Sequence, residues 1–97
     1  MLDPILHQPI RTRMVAYLVA RQEATFVDIK EVVGITDGNL AAHMKKLFAA
    51  GYVVARREEQ DGRSQTLYAI TEAGTKAFKD YVKVLQSIIA VTPARTR

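Results

Sequence analysis

The sequence predicts a mainly α domain with one small β-hairpin, an α+β class, on three observations. Two helix-period segments meet across a very short break at Gly34-Ile35-Thr36. The helical pattern then stops at Gly51 and gives way at once to β-forming residues. A polar hairpin follows, and after it a long amphipathic stretch.

The elements follow in order. Residues 1–8, with Pro4 inside them and Pro9 just after, are expected to form an extended arm entering a helix. Helix 1 is predicted over 9–21. Its apolar residues Ile10, Met14, Tyr17 and Leu18 recur at helical spacing, with Arg11, Arg13 and Arg21 mostly off that stripe. Gln22-Glu23-Ala24 is a short break. Helix 2 is predicted over 25–33, opened by the Thr25/Asp28 capping-box pattern, carried by Phe26, Ile29 and Val33, and ended at Gly34. Helix 3 is predicted over 36–50. Thr36 is a good N-cap, Asp37 complements the positive end of the helix dipole, and Leu40, Met44, Leu47 and Phe48 form the buried stripe. The hairpin spans 52–70, with β-rich runs at 52–57 and 66–70 around a polar segment holding Asp61-Gly62, a turn signal. Thr71 can cap a last helix over 72–91, whose stripe is Phe78, Tyr81, Val82, Leu85, Ile88 and Ile89. The tail Thr92–Arg97 is expected to fray.

Composition bounds the function without naming it. The 97 residues are expected to form a single domain, with no membrane span, no secretory signal pattern and a cytoplasmic location. Absence of cysteine removes disulfides, thiolate catalysis and thiolate metal sites. A formal charge of +4 favours an anionic partner only weakly, because its distribution is uneven. Residues 1–35 carry four Lys/Arg against four Asp/Glu, 36–70 five against four, and 71–97 five against two. Charge alone marks no nucleic-acid face; the order of elements has to do so.

That order, three helices with a tight turn between the second and third and then a charged hairpin, describes a winged helix-turn-helix: a three-helix core, a hairpin wing and a C-terminal helix. The run Gly34-Ile35-Thr36-Asp37-Gly38-Asn39-Leu40-Ala41-Ala42-His43-Met44-Lys45-Lys46-Leu47, followed by Ala50-Gly51-Tyr52-Val53, resembles the MarR/ArsR-like winged-helix regulators of prokaryotes. It is similar in particular to a short subgroup with an LTxGNLxxHxxxLxxxGYV third helix. Asp61-Gly62-Arg63 and the exit Leu67-Tyr68-Ala69-Ile70-Thr71-Glu72-Ala73-Gly74 match that subgroup's GR…YxLTxxG pattern. The likeness spans roughly residues 3–90. It implies a DNA-binding transcriptional regulator acting as a homodimer.

A helix of this kind fits the major groove and reads base edges from its first turns. Candidate recognition-helix residues are Thr36, Asp37, Gly38, Asn39, Ala42, His43, Lys45 and Lys46. Asn39 and His43 are four apart and share a face; asparagine can pair with adenine through two hydrogen bonds. Thr36, Asp37 and Gly38 sit where free backbone N–H groups meet a phosphate, although the Asp37 carboxylate works against one. Lys45 and Lys46 suit phosphate contacts that set register. Each of these is also compatible with an ordinary solvated surface. Candidate wing residues are Arg56, Arg57, Arg63, Ser64 and Gln65; strand alternation lets only one of Arg56 and Arg57 face DNA, and Glu58 and Glu59 are placed to neutralise them. The stripe Phe78, Tyr81, Val82, Leu85, Ile88 and Ile89 approximates a heptad seam. It can pack on its own domain or on a second copy of the chain, and an exposed Ile88/Ile89 patch favours the second.

No catalytic, cofactor or metal motif is present. The two histidines, His7 and His43, and the two serines, Ser64 and Ser87, show no nucleophile–base or ligand spacing, and the Cys/His clusters of metal-sensing ArsR relatives are missing. The expected partners are therefore double-stranded DNA and a second copy of the chain, with no cofactor, no enzymatic activity, no membrane and an effector left open. Two other readings stay open: a winged-helix protein-interaction module, favoured by the near-neutral middle third and the acidic wing, and an architectural protein that binds DNA without sequence preference.

Overall fold

The computed structural model describes residues 1–91; the tail expected to fray lies outside them. Among the described residues, four helices and a three-stranded antiparallel sheet alternate as α1 (Pro9–Arg21), β1 (Glu23–Thr25), α2 (Phe26–Val33), α3 (Asp37–Ala49), β2 (Val53–Gln60), β3 (Arg63–Ile70) and α4 (Glu72–Val91). The predicted α+β class holds, with one strand added. Glu23-Ala24-Thr25, expected as a break, pairs antiparallel with Leu67-Tyr68-Ala69 and gives the sheet order β1-β3-β2. Ala24 is thereby buried.

Local chemistry sets each boundary. The Gln8 side chain accepts from the Arg11 backbone N–H and Pro9 opens the first turn of α1. Thr25 and Asp28 close a reciprocal capping box on α2. Gly34 ends α2 in the left-handed conformation, φ 68°, and Thr36 starts α3 by accepting from Asn39 N–H at 3.3 Å. The end of α3 is a Schellman motif: Gly51, φ 77°, donates to the Phe48 carbonyl and Tyr52 to that of Leu47. Asp61 and Gly62 both have positive φ, 53° and 75°, as a two-residue type I′ hairpin turn requires. The hairpin pairs Val53 with Ile70 through to Gln60 with Arg63 and forms the wing.

One core joins all helices to the base of the sheet: Leu6, Met14, Val15, Leu18, Ala24, Ile29, Val33, Leu40, Met44, Leu47, Val53 and Tyr81. Three expectations are corrected here. First, residues 1–8 are not an extended arm. The Asp3 carboxylate accepts from Ile5 N–H and Leu6 N–H and from the Tyr52 hydroxyl at 2.5 Å, folding the segment into a turn that buries Leu6 completely. Second, Arg11 is buried, with 9% of its surface exposed, because the folded N-terminal segment covers it. Third, Phe48 stands at the edge of its helical stripe, remains 40% exposed and lies 5.9 Å from the Tyr68 ring.

The root of α4 is fixed by Thr71. Its hydroxyl donates to the Gly51 carbonyl at 2.7 Å and accepts from Gly74 N–H at 2.9 Å. Gly74 packs so closely on the strand entry that a Cβ there would lie 2.4 Å from the Tyr52 carbonyl oxygen. Two tight contacts therefore set the direction in which α4 leaves the core.

Candidate nucleic-acid interface

Leu40, Met44 and Leu47 turn one side of α3 into the core, so at 100° per residue the opposite side is defined. Gly38, Ala42, Lys45 and Ala49 form its outermost line, all exposed. Asn39, Lys46 and His43 flank that line on one side, and Ala41 and Phe48 on the other. The outermost surface is thus mostly small side chains, which let a helix approach a groove closely. Ala41 and Ala49 were not among the sequence candidates; their signal was small size at exposed helical positions.

Thr36, Asp37, Gly38 and Asn39 are all exposed at the first turn of α3. The charge of Asp37, the residue least suited to a phosphate, is met by Lys30 of α2 at 2.7 Å. This ion pair also bridges the turn between the two helices. On the α1 side, Arg13 donates to the Val32 carbonyl at 2.5 Å and to that of Val33 at 3.4 Å, closing the end of α2. Neither Lys30 nor Arg13 was distinguishable by spacing from an ordinary solvated cation.

His43 is only partly exposed, and its Nδ1 lies 3.0 Å from Arg11 Nη1. Burial first, then the positive charges of Arg11 and Lys46, hold its imidazole below the usual histidine range. Lys45 and Lys46 are exposed.

The wing sorts its candidates by face. Cross-strand partners share a face, so Ala55/Tyr68, Arg57/Thr66 and Glu59/Ser64 lie on one side, and Arg56/Leu67, Glu58/Gln65 and Gln60/Arg63 on the other. Tyr68 packs between Phe26 of α2 and Phe48 of α3, at 6.2 and 5.9 Å between ring centroids. The Tyr68 face is therefore the one turned toward α3. Arg57 lies on it and donates to the Ser64 and Thr66 hydroxyls. Arg56, the other strand candidate, is placed differently. It lies on the other face and is taken up by Glu23 of β1 at 2.6 Å and by Glu58 at 3.6 Å, with the Glu23 contact the main cause of its raised pKa. Gln65 shares that far face and donates to Glu58 at 3.3 Å. Arg63 is exposed beside the turn.

On α4, Tyr81 is corrected as an interface candidate. It is 6% exposed, sits in the core of its own chain and meets His7 Nδ1 at 3.0 Å through its hydroxyl. Phe78, Val82 and Leu85 also pack against this core, though only partly buried. Ile88 and Ile89, 49% and 64% exposed, lie beyond it. A groove of about 790 Å³ runs between the end of α1, the end of β3 and α4, lined by the apolar Val19, Ile70, Phe78 and Val82 and by both charges, Glu72 and Asp80 beside Lys76, Lys79 and Lys83. Among the described residues, no helix is long and apolar enough to cross a membrane.

Comparison with known proteins places this geometry in a family. The family model described as a winged helix DNA-binding domain matches residues 10–89. An uncharacterised protein of Methanocaldococcus jannaschii is 36% identical over 83 residues, covering 84% of this chain and 90% of that protein. A transcriptional regulator homologue from Pyrococcus horikoshii OT3 superposes with a TM-score of 0.86 at 30% identity, over 93% of this chain and 89% of that one. A MarR family transcriptional regulator from Silicibacter pomeroyi shares the fold, with a TM-score of 0.71 at 12% identity, over 91% of this chain and 57% of that one. The chain belongs to the winged helix DNA-binding domain family and has the fold of the MarR-type transcriptional regulators.

Proposed function

We propose that this protein is a cytoplasmic, sequence-reading transcriptional regulator that binds duplex DNA as a homodimer. The observation that carries the reading is the outer side of α3. It offers a small-residue line, two polar readers (Asn39 and His43) and two cations (Lys45 and Lys46), with the one adverse charge, Asp37, already paired to Lys30. In this reading α3 enters the major groove, Asn39 and His43 meet base edges, and the lysines meet phosphates. Arg57 on the α3-facing side of the wing, together with Ser64 and the tip residue Arg63, meets the flanking backbone.

Dimerisation rests on Ile88 and Ile89, whose exposure continues the apolar stripe of α4 past its own core. A two-fold pair would set its α3 helices about 34–36 Å apart on a roughly palindromic site.

The test is selection from a random oligonucleotide pool, followed by anisotropy titrations of the selected and scrambled duplexes across a salt series. The expected result is a consensus with two related half-sites and an affinity that falls steeply with salt through counterion release. Binding without a consensus makes the protein architectural. Absence of binding at low salt favours the protein-interaction module, a reading supported by the neutralisation of Arg56 by Glu23 and Glu58.

A further inference from the structure

We infer that Arg11, buried under the N-terminal segment, is a positioning residue for base reading: it holds His43 as the neutral tautomer protonated on Nε2, so that α3 offers a hydrogen-bond donor and not a cation at that point. The inference rests on the proposed placement of α3 in the groove. It begins from a donor-only partner. A guanidinium has five N–H donors, no acceptor, and keeps its charge at every physiological pH. With Arg11 Nη1 at 3.0 Å, His43 Nδ1 has to accept, which leaves the ring proton on Nε2. Protonating Nδ1 would set two N–H groups and two positive charges against each other at that distance.

The guanidinium is held independently of the histidine. Arg11 Nε donates to the Ile5 carbonyl at 2.6 Å. Ile5 is in turn fixed by its N–H on the Asp3 carboxylate, and Asp3 is fixed by the Tyr52 hydroxyl. With 9% of its surface exposed, Arg11 has little room to swing away. The charged groups acting on the ring are Arg11 from α1 and Lys46 one turn along α3, both positive, and burial acts in the same direction.

The consequence is chemical selectivity. A fixed Nε2–H donor matches purine N7, guanine O6 or thymine O4, and is mismatched with the amino groups of adenine and cytosine. A charged histidine would instead add attraction for phosphate, which is blind to sequence. Arg11 thus keeps His43 a reader when the pH falls.

Two measurements test this on the intact protein. Long-range ¹H–¹⁵N imidazole spectra of the free protein, assigned against His7 with His43→Gln, should show the Nε2–H tautomer. The His43 titration should move to higher pH in Arg11→Met. Anisotropy with the selected and scrambled duplexes should give a discrimination ratio that changes less than about threefold between pH 7.5 and 5.5 in the parent. In Arg11→Met the ratio should fall by roughly tenfold on acidification, and His43→Gln, which cannot titrate, should be flat. If Arg11→Met does not fold, Arg11→Gln, which removes the charge but keeps a polar side chain under the N-terminal segment, takes its place with the same expectations in weaker form. An Nδ1–H tautomer, or an unchanged titration in the Arg11 variant, overturns the inference while leaving DNA binding intact. Failure to bind any duplex overturns both it and the proposed function.

Discussion

Tyr52 shows how much a single contact does at the start of the wing. Its hydroxyl donates to the Asp3 carboxylate, and that bond, with burial and the carboxylate charge behind it, pushes the phenol up to about 12. The fold therefore favours the neutral phenol. The contribution is complete below the unfolded value near 10 and is lost as pH rises from there toward about 12. Absorbance at 295 nm should show the Tyr52 transition moving to lower pH in Asp3→Asn; an unmoved transition would mean that the bond does not form in solution. His43 works in the opposite sense at the other end of the scale. Its lowered pKa means that the unfolded chain takes up the proton first, so stability is full above about pH 6.5 and declines as pH falls below it. The thermal midpoint of the parent should drop more between pH 7.5 and 5 than that of His43→Gln. Gly74 is a third residue-scale case, and here the demand is for space. A methyl group would press on the Tyr52 carbonyl, which is backbone and cannot swing aside. Gly74→Ala should cost about 1–3 kcal/mol in denaturant unfolding, the usual range for overpacking. A neutral result would show that α4 is less tightly seated than its geometry implies.

Among the elements, the aromatic set Phe26–Tyr68–Phe48 decides how the wing sits relative to α3. Phe48→Ala should destabilise the fold by only about 1–2 kcal/mol, because the ring is 40% exposed. It should weaken duplex binding more than that loss of stability accounts for, since the wing would lose its brace; unchanged binding would detach the wing from α3 in this account. Most of these elements were legible in the sequence because each carries its own local signal. The capping box at Thr25, the Gly34 stop, the Schellman glycine at 51 and the Asp61-Gly62 turn are short-range chemistry. What stayed hidden depended on partners distant in the chain. Strand β1 is only three residues long and is a strand because β3 lies beside it. Arg11 follows the pattern of a solvated cation, and only the folded segment 1–8 buries it. Arg56 and Arg57 are adjacent in sequence, and the register with β3 was needed to send one to Glu23 and leave the other facing α3. The heptad-like stripe on α4 was visible, but where it leaves its own core was not, so Tyr81 was grouped with residues that remain exposed.

At the scale of the molecule, the described chain is long and narrow, with extents of 59 × 25 × 22 Å and a radius of gyration of 15.5 Å. A compact chain of this length would have a radius near 13 Å. A helix of 20 residues is roughly 30 Å long, and α4 carries Ile88 and Ile89 toward its far end, past the residues that pack on the core. Sedimentation equilibrium should give twice the chain mass. The pair Ile88→Glu and Ile89→Glu should give the monomer mass with an unchanged far-UV spectrum, whereas a parent that sediments as a monomer would remove the two-fold site from the account. The central claim is that the outer side of α3 reads sequence, and Asn39 tests it most directly. Its side chain lies on an exposed flank and takes no part in the core, so Asn39→Ala should fold as the parent does. The ratio of scrambled to selected duplex dissociation constants, measured by anisotropy at one fixed salt concentration, should fall by roughly tenfold or more on loss of a two-bond base contact. A ratio equal to that of the parent would contradict the assignment of α3 as the reading element.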